Sequence, residues 1–157
     1  MKQATGQKPA TMIAKTLPAL VLATAALAQT GRINQVTNPG VQLRMGTMIR
    51  ASAALTVLGD MAGARAVFDK DRARTARQVL VAATRDIPSV FRRPHSDQLS
   101  HARPEIWLQW QDFTTRARLA RRAAKALDTG AVSGLRDSLP GLILACLNCH
   151  DTYRKPM

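Results

Sequence analysis

Aromatic side chains are scarce in this 157-residue sequence, which holds two tryptophans, three phenylalanines and one tyrosine. So few rings leave little to stack on nucleic-acid bases. Acids are scarce too, ten against 23 lysines and arginines. With acids so few and no Ser/His/Asp arrangement apparent, the sequence offers no constellation for enzymatic turnover. The longest apolar run, Thr16 to Ala28, has thirteen residues, well short of the roughly 20 that a membrane span needs. Cysteine occurs only twice.

Both cysteines fall in one motif near the C-terminus, Cys146-Leu147-Asn148-Cys149-His150. C-x-x-C-H is the attachment signature of c-type haem. Two thiols three apart on a helix can form thioethers to the two porphyrin vinyl groups, and the adjoining imidazole can then ligate iron. A redox dithiol would need a strand before it and a βαβ setting, whereas Leu135 to Ala145 reads as helix. A zinc site would need a second, distant pair of ligands. Covalent haem c, with Cys146 and Cys149 as its anchors and His150 as proximal ligand, is the stronger reading.

Lys2, Lys8 and Lys15 precede the apolar run, which ends in Ala26-Leu27-Ala28. A basic segment, a short apolar stretch and an A-x-A site define a secretory leader. We expect residues 1–28 to be a signal peptide cleaved after Ala28, and residues 29–157 to form one domain in the periplasm. An uncleaved amphipathic anchor is the alternative. Covalent haem attachment outside the cytoplasm agrees with export. Net charge is +13, or +10 without the three leader lysines, and seventeen of the basic residues are arginines. An exported basic surface suits an acidic redox partner better than nucleic acid, although scattered arginines can equally serve to solvate helix faces.

Past the leader the pattern predicts an all-α fold, an antiparallel up-down-up-down bundle of four helices. The first runs from about Gly40 to Leu58 behind Asn38-Pro39, and Gly59 and Gly63 break it. Asp69 or Asp71 opens the second, which Pro88 stops. A polar loop from Arg92 to Ala102 holds His95 and His101, read as surface histidines. The third starts at Pro104-Glu105 and carries Ile106, Trp110, Phe113 and Ala117 on one side, with Arg118, Arg121, Arg122 and Lys125 on the other. The fourth runs from Ala131 through the cysteines, with a kink at Pro140-Gly141 or a restart at Ser138. Alanine-rich stripes allow close helix approach and leave room for a flat cofactor.

An antiparallel bundle brings the start of the first helix beside the end of the fourth. Met48 and His150 then lie roughly 10–15 Å from the same end, at about 1.5 Å rise per residue. Met48 is a candidate sixth ligand, Met45 its competitor, and core packing is the plainer account of both. Arg44, one turn before Met48, can pair with a haem propionate. Arg154, one turn after His150, can bound the proximal pocket.

Together these segments resemble the cytochrome c' family, the class II c-type cytochromes. The likeness rests on Cys146 to Arg154, on Ala102-Arg103-Pro104-Glu105-Ile106-Trp107, and on Leu58 to Gly63 with Val67-Phe68-Asp69. It spans about residues 41–155. The resemblance implies a four-helix bundle, often a homodimer, with His150 proximal, thioethers on Cys146 and Cys149, and Arg44 and Arg154 beside the haem. Its distal position falls on Met48, where the family divides. A ligating methionine there implies the low-spin His/Met subgroup, and a periplasmic one-electron carrier is the expectation drawn. The alternative is a five-coordinate, high-spin protein that binds nitric oxide or another small gas. A haem-free exported helical protein binding anionic surfaces through its arginines is a third.

Overall fold

The computed structural model describes Ile33 and residues 35–156, and the expected leader, 1–28, lies outside them. Five helical segments follow in order: α1 Pro39–Ala62, α2 Lys70–Val90, α3 Glu105–Leu108, α4 Trp110–Ala126 and α5 Val132–Tyr153. The core is a bundle of α1, α2, α4 and α5, closed as a ring in which α1 meets α2, α2 meets α4, α4 meets α5 and α5 returns to α1. There is no sheet among the described residues, only an isolated bridge between Ala102 and Arg154.

Local chemistry starts the long helices. Asn38 caps α1, its side-chain oxygen accepting from the Gly40 and Val41 amides at 2.9 and 3.3 Å, and Pro39 occupies the first turn, where its missing N–H costs nothing. Asp69 caps α2 through the Asp71 and Arg72 amides, both at 3.0 Å. The ends are then tied across the bundle. Arg136 Nε at the start of α5 donates to the Ala62 carbonyl at 2.8 Å, and Arg77 Nη2 near the start of α2 donates to the Lys125 carbonyl at 2.5 Å.

Two apolar clusters fill the interior. One, around Leu58, Met61, Leu80, Leu135 and Leu142, occupies the end where α1 finishes and α5 begins. The other joins Ile87, Phe91, Ile106, Phe113, Ala117 and Tyr153. A leucine buried as fully as Leu58 or Leu142 contributes roughly 1.5–3 kcal/mol. Nearly all the aromatic residues gather in the second cluster, where Phe113 lies 5.3 Å from both the Phe91 and Tyr153 rings.

Several expected boundaries move. Helix α1 continues through Gly59 to Ala62 and ends where Gly63 N–H bonds the Gly59 carbonyl at 2.9 Å. Glycine weakens a helix by only about 1 kcal/mol, less than the packing of Leu58 and Met61 beside it returns. Pro88 lies inside α2, which runs on to Val90. Pro140 lies inside an unbroken α5, with no restart at Ser138. The carbonyl that Pro140 cannot engage is that of Arg136, and both residues are exposed, so water can satisfy it. The expected third helix is instead split. Gln109 leaves helical geometry at φ −118°, ψ 44°, which separates α3 from α4 beside the long loop.

Candidate haem site

Helix α5 carries Cys146, Cys149 and His150 in its last two turns, all half-buried. Residues three apart share a helix face, and the two cysteines straddle the clusters: Cys146 packs against the leucine-rich one and Cys149 against the aromatic one. Burial pushes both thiols up, Cys149 to about 11, so each is a neutral thiol near pH 7. Burial, with the nearby Arg154 charge second, pushes the His150 imidazole below its ordinary value. A neutral imidazole is the form that binds a metal.

The chain end beyond the motif is locked to the loop before α3. Arg103 N–H donates to the Tyr153 carbonyl at 3.0 Å, Lys155 N–H to the His101 carbonyl at 2.8 Å, and Arg103 Nη1 to the Thr152 carbonyl at 3.2 Å. Tyr153 is buried and its hydroxyl donates to Asp112 Oδ2 at 2.6 Å. The same oxygen accepts Arg116 Nε at 2.6 Å, while Arg116 Nη1 reaches the Asn148 carbonyl inside the motif at 2.6 Å. Thus α4 grips α5 on both sides of His150. Sequence reading missed Asp112 and Arg116 as a unit, though acid followed by base four residues later is a recognisable helix pair.

Arg44 is 2% exposed. Its guanidinium lies 5.4 Å from the Phe91 ring centre and 5.3 Å from that of Trp107. Nη2 donates to the His95 carbonyl at 2.7 Å and to Ser100 Oγ at 3.4 Å. Nη1 is buried with no hydrogen-bond partner among the described residues. Burial lowers the Arg44 pKa, and a buried cation with an idle donor is costly unless an anion meets it. The expectation that His95 is a surface residue fails. It is half-buried, and its ring leaves no room for a Cβ on Gly40. His101 is exposed.

Met48 is half-buried against the aromatic cluster that also receives Cys149. Met45 is half-buried as well. The structure therefore brings Arg44, Met48 and Cys149 to one end of the bundle, where the His95 carbonyl accepts from Arg44. Leu43 on α1 and Leu144 and Leu147 on α5 remain 55%, 59% and 52% exposed, apolar surface on two helices that share the least contact among ring neighbours. An idle buried donor, a neutral imidazole, two thiols on one face and uncovered leucines fit a flat apolar group bearing acidic substituents.

Comparison with known proteins agrees. The family profile for cytochrome c' matches residues 40–154. No curated protein matches the chain. Among solved structures, the chain is similar to cytochrome c' from Rhodobacter Spheriodes, with 22% identity, TM-score 0.69, and 75% of this chain and 96% of that one covered. It is similar to the nitric oxide complex of a mutant cytochrome c prime from Alcaligenes xylosoxidans, with 22% identity, TM-score 0.66, and 74% and 94% covered. An NMR-validated structure of oxidised cytochrome c556 from R. palustris gives 21% identity, TM-score 0.68, and 76% and 98% covered. At these identities the structures show the fold.

This chain belongs to the cytochrome c' family. It is a c-type haem protein with one covalently bound haem c, of a family of non-catalytic electron carriers and gas-binding proteins. Membership overturns the expected His/Met low-spin subgroup and the ligation on which the expected carrier was built, though not electron transfer itself, because the iron of this family is typically five-coordinate and high-spin with histidine its sole protein ligand. Met48 is accordingly removed from the ligand set. Its helical spacing reflects packing against Phe91 and its neighbours, a use to which flexible thioethers are suited.

Proposed function

We propose that this protein is an exported, five-coordinate, high-spin haem c protein that binds a small gas, nitric oxide above all, on the open side of its iron. Haem, when bound, would supply an iron able to exchange one electron and to take a diatomic ligand. In this reading an up-down-up-down arrangement of α1, α2, α4 and α5 surrounds the haem. Cys146 and Cys149 hold it covalently, His150 is the proximal ligand, and Arg44 meets a propionate with its idle Nη1. Arg154 keeps positive charge beside the proximal imidazole, and Met48 covers the opposite side without ligation.

The carrying observation is the C-terminal C-x-x-C-H helix in a chain of this family. A similar structure is itself a nitric oxide complex, which supports the gas in question. No helix among the described residues is long and apolar enough to cross a membrane. We place the mature protein in the periplasm after cleavage at Ala28. Its net positive charge suits an acidic redox partner, and a homodimer belongs to the same reading.

Optical and electron-paramagnetic spectra of holoprotein from a haem-maturing host test this reading. A high-spin ferric spectrum that converts on exposure to nitric oxide is expected. A low-spin ferric spectrum with a thioether–iron band, or an intact mass equal to the bare processed chain, overturns it.

A further inference from the structure

A second site lies away from the haem motif. Between α2 and α4 is a cleft of about 440 Å³ lined by Arg77, Gln78, Val81, Ala82, Arg85, Arg121 and Lys125. Four of its seven lining residues are cationic and none is acidic. Arg77, Val81 and Arg85 follow one another at four-residue steps along α2, and Arg121 and Lys125 do the same on α4, so both helices turn a basic line into one groove. The end of α4 lies here, whereas Cys149 packs near its start.

Partners within the protein account for only part of this charge. Arg77 Nη2 donates to the Lys125 carbonyl at 2.5 Å, and Arg85 Nε pairs with Asp86 at 2.9 Å. Nε of Arg77 and Nε of Arg121 are both sealed from solvent without a hydrogen-bond partner. Four cationic side chains on facing helices, with no carboxylate in the lining, form a groove complementary to an anion. Guanidinium forks match the tetrahedral oxygens of phosphate, which offer more acceptors than a carboxylate. Val81 and Ala82 add apolar lining.

The geometry points to a binding site for a phosphate-bearing anion, held by Arg77, Arg121 and Lys125 with Arg85 at the margin. Either a soluble diphosphate or an anionic phospholipid headgroup presents this chemistry.

The test uses holoprotein at physiological ionic strength. Pyrophosphate is titrated by calorimetry, and co-sedimentation is measured with phosphatidylglycerol and phosphatidylcholine vesicles. Saturable pyrophosphate binding, weakened about tenfold or more in Arg77→Gln/Arg121→Gln and unchanged in Arg118→Gln, supports a soluble ligand. Sedimentation with phosphatidylglycerol alone, lost in the same double variant, supports a headgroup. A further measurement needs no variant: pyrophosphate or phosphatidylglycerol vesicles should shield Arg77 and Arg121 from an arginine-specific dicarbonyl, read by peptide mass mapping. Failure of both probes to bind, binding equal in the double variant, or no shielding overturns the site.

Discussion

The Tyr153 hydroxyl and the Asp112 carboxylate meet at 2.6 Å, joining the last turn of α5 to the first turn of α4. Burial, reinforced by this bond, pushes the phenol up to about 12. The same bond, with Arg116 second, holds Asp112 below the usual carboxylate range. Tyr153 sits three residues beyond His150, so its bond to Asp112 ties down the end of the haem helix.

Each shift has a sign. The folded protein keeps the Tyr153 proton to higher pH than the unfolded chain does, so its contribution is complete below about pH 10 and is lost as pH rises toward about 12. Asp112 acts oppositely: its contribution is present above the usual carboxylate range and is lost as pH falls through its depressed value. Tyr153→Phe should lower Tm near pH 7 by about 2–6 °C and flatten the alkaline limb of the Tm profile. The chain has one tyrosine, so ultraviolet titration of the holoprotein reads this phenol alone. Titration at the ordinary tyrosine value would refute the shift.

Met48→Ala should leave the ferric spectrum high-spin and speed carbon monoxide uptake, because a covering side chain is lost and no ligand is removed. It should also cost about 2–3 kcal/mol of stability from the half-emptied packing position. Stopped-flow mixing and thermal melts measure both. A change of spin state in the variant would contradict the assignment of Met48 as a cover.

Arg44→Gln removes a cation lying over Phe91 and Trp107 and a donor to the His95 carbonyl. A loss of about 2 kcal/mol is expected, with the haem still covalently attached. Denaturant unfolding of the holoprotein checks the first, and acid–acetone extraction the second. A neutral effect would mean that the buried guanidinium contributes nothing net.

Pro140→Ala should raise stability by about 1–3 kcal/mol. The new N–H can bond the Arg136 carbonyl, and the exposed position loses no packing. Calorimetry of the two holoproteins decides it, and a lower Tm would show that the proline shapes α5 in a way the packing depends on.

Local chemistry in the chain determined the caps at Asn38 and Asp69, the apolar stripes, and the C-x-x-C-H motif, because each depends on neighbours a few residues apart. The family likeness was also legible, and two segments that carry it, around Arg103 and Tyr153, prove to be hydrogen-bonded to one another. Only the tertiary structure decided that α1 passes Gly59 and α2 passes Pro88, since burial across the bundle outweighs propensities of about 1–3 kcal/mol. The break at Gln109, the Asp112–Tyr153 bond, the idle donor on Arg44 and the basic cleft all arise between residues far apart in sequence. Their energies come from desolvation and contact geometry, and neither quantity exists until the helices pack.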